Sequence, residues 1–98
     1  MSIANTILDQ IGGARFILMT GAKNLVNHGN ALSFKLPAKF AKDGINYVKI
    51  TLNGLDLYDV EYGKIKKFEY KLLSTSEGLY FDMLKEDFTA KTGLHTSL

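Results

Sequence analysis

Residues Ile45 to Leu73 read INYVKITLNGLDLYDVEYGKIKKFEYKLL, and this stretch decides the fold. From Tyr47 to Leu52 the side chains alternate, with Val48, Ile50 and Leu52 on one side and Tyr47, Lys49 and Thr51 on the other. A period of two with β-branched residues marks a half-buried strand. Asn53-Gly54 follows at once, a dipeptide that tolerates the positive φ of a tight hairpin turn. Leu57 to Tyr62 predicts a second strand, with Tyr58, Val60 and Tyr62 facing away from Asp59 and Glu61. After Gly63, Lys66 to Leu72 predicts a third, with Phe68, Tyr70 and Leu72 inward and Lys67, Glu69 and Lys71 outward.

Upstream, Ala31 to Leu36 alternates again, with Leu32, Phe34 and Leu36 inward and Ser33 and Lys35 outward, until Pro37 ends the run. Proline has no N–H to give a sheet ladder. Gly21 to Asn30, GAKNLVNHGN, reads as a loop, either an elaborated hairpin connection or a binding loop. Arg15 to Thr20, RFILMT, is short and apolar, and its length predicts a buried strand. Ser2 caps a predicted short helix with Ile3, Ile7, Leu8 and Ile11 on one stripe, closed by Gly12-Gly13. Ala38 to Gly44 is a basic connection in which Phe40 is either a core anchor or an exposed aromatic between Lys39 and Lys42.

Downstream, Ser74-Thr75-Ser76-Glu77 fits a capping box. It predicts a helix from about Leu79 to Thr92 in which Phe81, Leu84 and Phe88 face inward, with Tyr80 and Met83 at the edges of that stripe. Asp82, Glu86 and Asp87 lie outside the stripe, and Gly93 closes the helix. The chain of 98 residues is therefore expected to be a single α+β domain, residues 1–98. About five mainly antiparallel strands carry a short N-terminal and a longer C-terminal helix on one face, with a partly closed small barrel as the alternative.

Composition narrows the chemistry. With no cysteine there is no disulfide framework and no thiolate metal site or nucleophile. His28 and His95 stand without a ligand-spacing motif, so the expectation is no metal and no cofactor. Phosphate-loop, nucleophile-elbow, zinc-protease and dinucleotide motifs are all missing, and the alternating Asp59 and Glu61 read as one outer strand face. A non-enzymatic protein is expected. The N-terminal stretch lacks a basic region and a long apolar core, and no apolar run reaches the ~18 residues of a membrane span. A cytoplasmic protein that does not engage membrane is the expectation.

Net charge is +2, but it is unevenly placed. Ala14 to Gly54 holds six basic residues against one acid, and Glu77 to Asp87 holds four acids against one lysine. Arg15, Lys23, Lys35, Lys39, Phe40 and Lys42 are thus candidate contacts to an anion or a nucleic acid. Tyr47, Lys49, Lys67 and Lys71, on the predicted outward sheet face, are the candidate protein-interaction surface.

Four segments in order, IGGARFILMTGAKN, FKLP at Phe34–Pro37, INYVKITLNGLDLYDVEYGKI and EGLYFDMLKEDFTAKTGLHTSL, resemble a family of short bacteriophage, prophage and mobile-element proteins of unknown activity. The resemblance assigns no residue a role. It implies a small accessory protein working inside a host bacterium on a host or phage protein, or on nucleic acid. The expected function is a protein-binding module that docks a partner or a second copy. The alternative is a nucleic-acid binder using the basic 14–54 region.

Overall fold

The structure is a computed structural model, and it describes residues 3–37 and 41–94. Ser2, Lys39, Phe40 and His95 lie outside the described residues. The chain runs α1 (Ile3–Ile11), α2 (Gly13–Thr20), β1 (Lys23–Asn27), β2 (Ala31–Lys35), β3 (Tyr47–Leu52), β4 (Tyr58–Lys66), β5 (Glu69–Leu79) and α3 (Leu84–Thr92), with single 3-10 turns at Lys42–Gly44 and Phe81–Met83. The strands form one open antiparallel sheet in the order β1-β2-β3-β4-β5. The α+β expectation holds, and the barrel alternative does not, because β1 and β5 remain separate edges.

One sheet face makes the core. The register sets Leu32 beside Ile50, Phe34 beside Val48, and Ile50 and Val48 beside Val60 and Tyr62. Ala4, Ile7 and Ile11 of α1, Phe16 of α2, and Leu84 and Phe88 of α3 close over them. Phe16, Phe34 and Phe88 form an aromatic triad, with Phe16 edge-on to Phe34 at 5.1 Å and to Phe88 at 5.3 Å. Such pairs add to the burial of their area.

Five sequence expectations are corrected. Arg15 to Thr20 is helical, not a strand: Phe16 and Thr20 are buried, Ile17 packs on the core, and Leu18 is 84% exposed. That is a helical period, which a run of six residues is too short to reveal. The fifth strand is instead Lys23–Asn27, inside the stretch read as a loop, where β2 offers it a free edge. Ser74 to Glu77 does not cap a helix. It continues β5, with Ser74, Thr75 and Ser76 paired to Tyr62, Glu61 and Val60. The helix proper begins at Leu84, which leaves Phe81 in the 3-10 turn and 60% exposed.

The fourth correction inverts a face. Tyr70 lies opposite Ile65 and Leu72 opposite Gly63, so both stand on the outer side with Tyr47, while Lys71 lies opposite Lys64 on the other side. Side-chain parity in a strand flips with a shift of one residue. A two-residue turn at Lys67 and Phe68 takes Phe68 out of the strand, and Leu73, unpaired between Leu72 and Ser74, bulges the strand and packs against the core. The Asn-Gly turn also differs. Gly54 to Asp56 form a three-residue loop in which Asp56, not Gly54, takes positive φ (61°), and Asn53 Oδ1 accepts the Leu55 and Leu57 N–H groups.

Candidate functional site

Among the described residues, no helix lies on the outer sheet face, since α1, α2 and α3 all pack on the core side. Its residues fall into rows set by the strand register. One row runs Lys23, Lys35, Tyr47, Gly63 and Leu72, and the next runs Ser33, Lys49, Glu61 and Thr75. The β1–β2 end is partly closed, since His28 Nε2 lies 2.7 Å from Ser33 Oγ and Ser33 is buried. The β3–β5 end is open.

Gly63 builds that open end. A Cβ there would overlap the Tyr70 ring, so only glycine lets Tyr70 lie across the strand. The Tyr70 ring meets Tyr47 edge-on at 5.4 Å, and its hydroxyl donates to Glu61 Oε2 at 2.8 Å. Burial first, then the Glu61 carboxylate, push the Tyr70 hydroxyl well above the usual tyrosine range, so it stays a donor at neutral pH. Lys49 is the direct cross-strand partner of Glu61. Tyr47, Lys49, Glu61, Ile65 and Tyr70 line a shallow hollow of about 330 Å³. Tyr70 and Leu72 are 44% and 51% exposed beside it.

The sequence-predicted residues separate. Tyr47 and Lys49 are on this face, and Lys71 is on the opposite one. Lys67 sits in the β4–β5 turn at φ 52°. Of the predicted anion contacts, Lys23 and Lys35 are direct partners on the outer face. Arg15 belongs to α2 in the helical layer, and Lys42 lies in a 3-10 turn against Gly93 at the end of α3. Among the described residues, the predicted anion contacts thus divide between the outer sheet face, α2 and the 3-10 turn. The sequence reading missed Tyr70, Gly63 and Glu61 as one unit. Their signal was Gly63 itself, a bare position mid-strand with an aromatic on the neighbouring strand.

Among the described residues, no three His, Asp or Glu side chains converge as a cation site, and no helix is long and apolar enough to cross a membrane. Compared with protein-family models, curated proteins and solved structures, the chain matches none. An aromatic pair with a fixed donor, flanked by a lysine and a glutamate, has the chemistry of a docking surface: rings supply contact area, and the two charges set orientation.

Proposed function

We propose that this chain is a small non-enzymatic accessory protein of the bacteriophage or mobile-element type. It works in the host cytoplasm and binds a protein partner through the open face of its sheet. The host context rests on the sequence resemblance. The binding role rests on one observation: the Tyr47–Tyr70 pair over Gly63, continuous with exposed Leu72, on a face that none of the described helices covers. Contiguous exposed apolar surface rimmed by polar groups marks interaction sites. The partner surface it fits has an apolar centre and a rim of both charge signs, matching Lys49 and Glu61.

The test is capture from bacterial lysate with the full chain as bait, with and without nuclease, beside sedimentation of the purified protein. A protein partner, or a second copy, that survives nuclease and is lost from Tyr70→Ala and Lys49→Glu supports the reading. Equal capture by wild type and both variants, with a strictly monomeric wild type, refutes it.

A further inference from the structure

The β4–β5 hairpin outruns the rest of the sheet. The last β3–β4 pair is Tyr47 with Gly63, whereas β4 and β5 stay paired out to Lys66 with Glu69. Asn46 braces the emerging ribbon: its side-chain amide donates to the Ile65 carbonyl at 2.9 Å, and its Oδ1 accepts the Ile65 N–H at 2.7 Å. From Gly63 outward the ribbon has two unlike sides. Ile65, Tyr70 and Leu72 continue the apolar docking face. The opposite side carries Lys64 facing Lys71 and Lys66 facing Glu69. Lys67 and Phe68 form the turn, and Phe68 is fully exposed at 107%.

Residues 64–71 hold four lysines against one glutamate, a net +3 where the whole chain carries +2. Lys64 and Lys71 are direct cross-strand partners, an arrangement that destabilises a sheet unless an anion lies across it. Lys64 Nζ also lies 3.2 Å from where a Gly44 Cβ would stand, so the basic side runs on toward the Lys42–Gly44 turn, where Asp43 is the accompanying acid.

We infer that this arm binds single-stranded nucleic acid, with Lys64, Lys66, Lys67 and Lys71 contacting phosphates and Phe68 stacking on a base. Aromatic rings among lysines suit single strands, since every base has a π-face to offer and lysine tracks the backbone charge. A duplex must first be unstacked to admit the ring. An anionic membrane fits less well. Phe68 stands between Lys67 and Glu69, so a ring reaching the acyl region would draw both charges after it. The basic side is distinct from the docking face and does not depend on it.

The experiment is fluorescence anisotropy of the full chain with a short mixed-sequence single strand, its duplex, and vesicles of phosphatidylglycerol. The single strand is expected to bind most tightly, with affinity falling steeply as salt rises. Lys64→Ala combined with Lys71→Ala should weaken binding about tenfold or more and flatten the salt slope by about 0.7 for each phosphate no longer neutralised. Phe68→Ala should weaken it about tenfold and leave the slope unchanged. Lys67→Glu, in the exposed turn, gives an independent reading, and circular dichroism confirms the fold of each variant. Absence of binding at low salt, preference for duplex or vesicle, or variants that bind as wild type does would each overturn the inference.

Discussion

Tyr62 on β4 donates a 2.7 Å hydrogen bond from its hydroxyl to Asp87 Oδ2 on α3. Ser76 Oγ of β5 donates to the other carboxylate oxygen at 2.8 Å. Asp87, which the sequence places outside the helix stripe, therefore ties α3 to two strands. Asp87→Ala leaves the Tyr62 hydroxyl, in a residue only 1% exposed, without its acceptor, and should cost about 1–3 kcal/mol. Tyr62→Phe removes the polar group along with the bond and should cost less. Urea unfolding of the two variants decides it; a wild-type midpoint for Asp87→Ala shows that the bond does not hold the helix.

The same hydrogen bond predicts a pH dependence. Burial, then the Asp87 bond and charge, raise Tyr62 well above the ordinary tyrosine value of 10.0. Below that value both folded and unfolded chains keep the proton, and the contribution is fully present. Above it the unfolded chain loses the proton first, so stability falls by about 1.4 kcal/mol per pH unit per tyrosine and is lost as pH rises through the folded value. Unfolding free energies at about pH 9 and about pH 11 should differ less in Tyr62→Phe than in wild type. An equal difference in both excludes Tyr62 as the source.

Phe88 and Ile50 lie on facing sides of the core, each 1% exposed. Phe88→Ala should cost about 3–5 kcal/mol and Ile50→Ala about 2–5 kcal/mol, through reduced burial and the cavity left behind. Phe88 touches both other rings of the triad, with Phe34 at 6.2 Å, so Phe16→Ala combined with Phe88→Ala should be non-additive. Thermal melts of the single and double variants measure both claims.

Gly63→Ala places a methyl group within the Tyr70 ring. It should cost about 1–3 kcal/mol as overpacking does. Tyr70→Ala in the same chain should recover most of that loss. A double-mutant cycle without coupling would mean that Tyr70 does not rest on Gly63 in solution.

Much of the fold was legible because the core strands announce themselves locally. Val48, Ile50, Tyr58, Val60 and Tyr62 alternate with polar residues, and all five are buried. Leu84, Phe88 and Gly93 likewise mark the last helix and its end, where Gly93 takes φ 75° and its N–H reaches Thr89 O at 2.8 Å. The misread segments share a different property: their local pattern fits two structures. RFILMT is too short and too apolar to reveal its period, and Ser-Thr-Ser-Glu suits a helix cap or an edge strand.

The candidate site was legible only in its parts. Periodicity alone places Tyr47 and Lys49 outward on β3, because Val48 and Ile50, which alternate with them, belong to the core. The face of Tyr70 depends on where β5 pairs with β4, and that register is set by the turn at Lys67 and Phe68 and the bulge at Leu73. Local pattern by itself determined an α+β chain with a meander at its centre, since alternation and turn residues act over a few neighbours. Tertiary structure alone decided which side of the hairpin carries the tyrosine and which the lysines. A strand has two equivalent faces until pairing assigns one of them to the core.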